Sequence, residues 1–216
     1  GVQTCALPIW EVYAVYARPF GFKGSGKELN QFFHKEWISS GGIESLGKKS
    51  GEQAERDFWK SLVFQVFEHS GGLENFEHYF EIIYEAFARK DHWHVFDDVI
   101  DSGILEKLKN SSITLGVVSN WDSRLHTILK GIGLAEYFDF ILASAEVGSA
   151  KPDKKIFIEA IRRSGVKPAE VCHIGDDLRA DIRGANSVGI EAILIDRNSK
   201  HKKNSLATIS SFQELL

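Results

Sequence analysis

The sequence predicts an α/β protein in which a helical lobe precedes a parallel-sheet core. Three observations carry this. From Glu11 to about Lys90 the apolar residues recur at helical spacing, with no strand signal. After about Trp93 short apolar runs alternate with helical segments. The residues able to do chemistry fall at the ends of those runs, where open α/β sheets bind ligands.

Each element has its own justification. Ala54, Phe58, Trp59, Leu62, Val63, Val66 and Phe67 form one helical stripe, and Phe76, Tyr79, Phe80, Ile83, Tyr84 and Phe87 another. Gly24-Ser25-Gly26, Ser39-Ser40-Gly41-Gly42 and Ser70-Gly71-Gly72 break the lobe into about four helices. Ile113–Val118 reads as a buried strand, with a helix from Asp122 carrying Leu125, Ile128, Leu129 and Ile132 on one face. Phe138–Leu142 is the next strand. Pro152 and Asp153 open a helix bearing Ile156, Phe157, Ala160 and Ile161. Val171–Ile174 is a strand, 178–188 a helix and 190–195 a strand. These patterns divide the chain into 1–10, a helical lobe over 11–93 and an α/β core over 94–216.

Composition excludes several classes. The 216 residues are 43% hydrophobic and 26% charged, with net charge −4. That balance offers neither nucleic acid nor an anionic membrane a basic surface. No apolar run approaches a membrane span. Two cysteines, Cys5 and Cys172, form no disulfide framework, so a reducing, cytoplasmic setting is expected.

Three motifs carry the chemistry. Ser119-Asn120 follows the Val117-Val118 run; a hydroxyl and backbone N–H groups before a helix suit a phosphate oxygen, and equally suit a helix cap. Lys151-Pro152-Asp153 offers an ammonium that can neutralise a phosphoryl group, or a surface lysine ahead of a helix. In Gly175-Asp176-Asp177, followed by Asp181, clustered carboxylates favour a hard cation, chiefly Mg2+. Asp177 could instead cap a helix.

Together these motifs resemble the haloacid dehalogenase (HAD) superfamily. Ser119 with Asn120 matches its second motif, Lys151-Pro152 its third, and Gly175, Asp176, Asp177 and Asp181 its fourth. The helical lobe resembles its type 1 cap. The resemblance implies a Rossmann-like core, Mg2+ and a small phosphorylated substrate. It also implies an aspartyl-phosphate formed on an Asp-x-Asp nucleophile ending the first strand. Ser119 and Asn120 would hold phosphoryl oxygens, Lys151 would orient the nucleophile, and Asp176, with Asp177 or Asp181, would hold the metal.

The chain departs from that pattern at its start. No Asp precedes Asp57. Glu11–Ala17 resembles the first cap helix, which puts the nucleophile strand just upstream of residue 11. Residues 1–9 resemble the translation of a sequencing-library adapter, and we expect 1–10 to be non-native; reading the transcript upstream of Glu11 tests this. Without its first strand the sheet is expected to leave neighbouring strands unpaired. Competing readings are a non-catalytic HAD-fold binding protein or scaffold, a dehalogenase, and a response-regulator receiver domain, whose acidic residues would come early rather than late. Elsewhere, His92 and His94 read as hinge or surface residues, Arg197–Lys203 as a solvated loop, and Cys172 as an inert thiol on a buried strand. Trp37, Trp59 and Phe64 read as lobe core.

Overall fold

The computed structural model describes residues 2–4, 8–199, 201 and 206–216. Residue 1, residues 5–7 with Cys5 among them, and residues 200 and 202–205, part of the basic 197–203 stretch, lie outside the described residues.

The lobe is built on helices α1 (Ile9–Ala17), α2 (Gly26–Ser40), α3 (Glu52–Glu68) and α4 (Phe76–Ala86). Its glycine-rich breaks act as read. Ser25 caps α2 by accepting from Glu28 N, and Gly41, Gly42, Gly71 and Gly72 take the positive φ that ends a helix without a Cβ clash. Leu29, Val63, Val66, Phe67, Tyr79, Phe80 and Ile83 bury the shared face. Trp37 and Trp59 stack against each other at its margin. Phe64 departs from the core assignment: it is 37% exposed and meets only the edge of that layer, against Phe76. Trp10, grouped with the N-terminal segment by sequence, is buried in the lobe and stacks on Tyr13.

Strand β1 (Val2–Thr4) pairs antiparallel with β2 (Trp93–Val95), two strands the sequence pattern did not announce. Short helices α5 (Asp97–Ile100) and α6 (Ile104–Asn110) lead into the core. There β3 (Gly116–Ser119), α7 (Arg124–Gly131), β4 (Phe140–Ala143), α8 (Ser144–Val147) and α9 (Lys154–Ser164) alternate. β5 (Cys172–Gly175), a wide turn over Leu178–Arg183, α10 (Gly184–Asn186), β6 (Glu191–Ile195) and β7 (Thr208–Ile209) complete it. The expected strand from Ile113 begins only at Gly116, and Ile113 is 49% exposed. Pro152 stands before α9 rather than in its first turn; Asp153 is the cap and accepts from Lys155 N. The helix expected over 178–188 opens on a π-type turn, because Asp177 O accepts from both Asp181 N and Ile182 N.

The core sheet is in two parts. β3 pairs parallel with β4, and β5, β6 and β7 form a separate parallel set. Among the described residues, β3 and β5 are each paired on one edge only. Val118 of β3 nonetheless packs against the same apolar cluster as Ala192 and Leu194 of β6, under Ile156 and Phe157 of α9. The two half-sheets thus share one helical cover. Burial follows: Leu142, Ala143, Ala192 and Leu194 are buried, whereas Val117, Val118, His173 and Ile174 are half-buried. Parallel strands are ordinarily covered on both faces, and β3 and β5 are covered less than their neighbours β4 and β6. Cys172 corrects the sequence reading: it is exposed at the start of β5, not buried.

Candidate active site

The three motifs converge at the carboxyl ends of β3 and β5. Ser119 is the last residue of β3, in register with Ala143 of β4. Its hydroxyl has no hydrogen-bond partner among the described residues. Lys151 links the ends of β3 and β5. Its ammonium donates to Val118 O at 2.9 Å and to Asp181 Oδ1 at 2.6 Å, and its side chain is 12% exposed.

Asn120 holds the lysine backbone from both sides. Its Oδ1 accepts from Lys151 N at 2.6 Å, and its Nδ2 donates to Lys151 O at 3.0 Å. The amide side chain expected to meet a phosphoryl oxygen is therefore spent on placing Lys151. What Asn120 retains for a ligand is its backbone N–H.

Asp181 is buried and fully engaged. Oδ1 meets Lys151 and His173 Nε2 (3.1 Å), while Oδ2 accepts from Asp177 N at 3.1 Å. Burial would raise this carboxyl. The His173 hydrogen bond and the Lys151 ammonium outweigh it and hold the group below the ordinary carboxylate range. Gly175 makes the arrangement possible: a Cβ there would lie 2.2 Å from Asp181 Cγ. Asp177 takes the cap reading, its Oδ1 accepting from Arg179 N and Ala180 N at 2.7 and 2.6 Å. Asp176 is exposed, with no side-chain partner among the described residues.

This donor set does not by itself fit Mg2+. Of the three carboxylates assigned to metal, Asp181 is neutralised and Asp177 is a cap, so Asp176 alone is uncommitted. No group of three or more His, Cys, Asp or Glu side chains among the described residues is placed to hold an ion.

The lobe closes over this end through residues that the motifs did not reveal. Asp122, 2% exposed, binds Arg124 through both oxygens and accepts from Tyr84 Oη of α4 at 3.1 Å. The Arg124 guanidinium lies 3.4 Å from the Tyr84 ring centroid. Glu52 of α3 accepts from Ser123 N at 3.0 Å, and Glu44 of the lobe pairs with Arg179 at 2.8 Å. His173 was also missed. Strand alternation was the available signal, since residues 173 and 175 share a face and Asp181 folds over Gly175. His92 instead bonds Tyr16 Oη at 3.0 Å, and His94 meets Asp97 at the surface. Arg197, expected in a solvated loop, forms a two-point pair with Asp98 and lies over Phe96.

The family model described as haloacid dehalogenase-like hydrolase matches residues 27–195. The chain belongs to the haloacid dehalogenase-like hydrolase family. It is 33% identical over 192 residues to human haloacid dehalogenase-like hydrolase domain-containing protein 3, covering 87% of this chain and 75% of that one. Among solved structures it resembles a HAD phosphatase from Thermococcus onnurineus at 28% identity and TM-score 0.56, covering 87% of this chain and 86% of that one. L-2-haloacid dehalogenase from Xanthobacter autotrophicus shares the fold, with TM-score 0.74 at 15% identity over 95% of this chain and 91% of that one. No helix among the described residues is long and apolar enough to cross a membrane.

Proposed function

We propose that this HAD-like hydrolase is of the phosphatase type, acting on a small phosphorylated molecule. One observation carries the reading. The Lys151 ammonium is held between the β3 carbonyl of Val118, the residue before Ser119, and the Asp181 carboxylate beyond the end of β5. A buried, oriented cation at a strand end that carries a hydroxyl and backbone N–H groups suits the charge that develops on a transferring phosphoryl group. In this reading Ser119 donates to a phosphoryl oxygen and Lys151 neutralises the group. Asp181 and the Asn120 amide place Lys151, and the lobe excludes water. The attacking carboxylate would arrive on an extended segment entering between β3 and β5. The likeness to a HAD phosphatase supports this class of chemistry. Mg2+ stays a proposal for the protein with that segment, where Asp176 would be its ligand from this chain.

The test is hydrolysis of an aryl phosphate with Mg2+ or with EDTA, by this chain and by a form carrying an apolar Asp-x-Asp strand ahead of Glu11. Turnover confined to the extended form, and abolished by Lys151→Ala, is expected. Halide release from a 2-haloacid without phosphatase turnover would overturn the reading in favour of dehalogenation. The engagement of Asp177 and Asp181 favours one second reading, a non-catalytic phosphate-binding protein. Saturable binding of inorganic phosphate without turnover in either form would select it.

A further inference from the structure

Glu55 sits in the first turn of α3 with its carboxyl buried, 1% exposed. Its partners are hydroxyls. Ser50 Oγ and Ser144 Oγ both meet Oε1, the second at 2.8 Å, while Oε2 is buried with no partner. The charged groups that face it are acidic: Glu52 on its own helix and Asp122 on the loop after β3, the latter already bound by Arg124. From α8 comes the uncharged Ser144, while Glu146 of that helix turns to His126. A buried carboxyl without a cation is stable as the neutral acid.

The hydrogen count agrees. Ser144 Oγ is also 3.2 Å from Trp121 O, and a hydroxyl carries one hydrogen. An ionised Glu55 would compete with Trp121 O for it. A protonated Glu55 donates to Ser144, which is then free to donate to Trp121 O, while Ser50 donates to Oε1. The joined backbones are those that place the lysine. Trp121 follows Asn120, and Ala145 N donates to Trp121 O at 3.2 Å. Ser144 O accepts from Ser149 N at 3.1 Å, two residues before Lys151.

We propose that Glu55 is a positioning residue: held as a neutral acid, it completes a hydrogen-bond chain through Ser144 to Trp121 O. That chain docks the helical lobe on the segments that present Lys151. Its catalytic consequence rests on the phosphatase reading; the docking itself does not. Burial, partly offset by the Ser50 and Ser144 hydrogen bonds, holds the Glu55 carboxyl above its ordinary value. A raised folded-state value means docking is complete at low pH. It weakens as pH rises from the unfolded carboxylate range through the folded one.

The experiment is amide hydrogen exchange at Ala145 and Ser149, corrected for intrinsic rate, from pH 4 to 8, on wild type, Glu55→Gln and Ser144→Ala. No turnover is needed, so failure of the docking and failure of the phosphatase reading remain distinguishable. In wild type the opening equilibrium should rise with pH between the unfolded and folded carboxyl ranges, by at most about tenfold per pH unit because opening releases one proton, and level off above the folded one. Glu55→Gln, uncharged and of the same shape, should stay protected and flat. Ser144→Ala should lose protection at both amides even at low pH. Parallel pH profiles for wild type and Glu55→Gln, or undiminished protection in Ser144→Ala, would overturn the proposal.

Discussion

Replacing Lys151 tests the centre of the site through stability alone. Lys151→Ala leaves the buried Asp181 carboxylate with His173 Nε2 and Asp177 N–H, each at 3.1 Å, and removes the 2.6 Å ammonium contact. Breaking a buried ion pair on one side costs about 3–5 kcal/mol. The two surviving partners put this case at the lower end, about 3 kcal/mol. With a urea dependence of about 2 kcal/mol per molar, the unfolding midpoint at pH 7 should fall by roughly 1.5 M. The pH dependence supplies a second check. Asp181 is held below its ordinary value, so its stabilisation is present above the unfolded carboxylate range and is lost as pH falls through the folded value. Below about pH 4 the gap between wild type and variant should therefore narrow by about 1.4 kcal/mol per pH unit. Lys151→Met combined with Asp181→Asn should cost less than Lys151→Met alone, since no charge is stranded. Urea titrations read by circular dichroism at pH 7 and pH 3 decide it. A midpoint within about 0.3 M of wild type at pH 7, or a gap unchanged at pH 3, would refute the reasoning.

Two further outcomes follow from contacts around the site. Gly175→Ala should lose about 2–3 kcal/mol, because its Cβ would lie 2.2 Å from Asp181 Cγ. The same change in an Asp181→Ala background should cost less than about 1 kcal/mol; equal costs in both backgrounds of this double-mutant cycle would show that the carboxyl does not lie over the glycine. Tyr84→Phe removes the 3.1 Å bond to Asp122 and should lower stability by about 1–2 kcal/mol, with Tyr84→Leu losing more because the Arg124 contact goes too. Thermal unfolding that ranks Tyr84→Phe and Tyr84→Leu equally would remove the ring contact from the account.

Much of the fold was legible because local grammar and burial agree here. The lobe helices follow from apolar spacing between glycine breaks, and the core strands fall within three residues of their apolar runs. The N-terminal edge of β3 was misplaced because Ile113 is apolar yet lies outside the ladder. Strands β1, β2 and β7 are two or three residues long, too short for any period to register.

The sequence by itself determined which residues gather at the strand ends. Order and spacing placed Ser119, Lys151, Asp176 and Asp181 at the carboxyl end of one parallel core, and connectivity leaves little freedom there. Tertiary structure alone decided what each group is free to do. Asn120 and Asp177 could each bind a ligand or the backbone, and packing gave both to the backbone. Asp181 could hold a metal or a lysine; Gly175 opened a place where it meets Lys151 and His173 together. Contacts between lobe and core, from Glu55 to Ser144 and from Tyr84 to Asp122, join residues 89 and 38 positions apart. No local pattern encodes such pairings. They exist only once two separately folded faces are brought together and their buried polar groups must find partners.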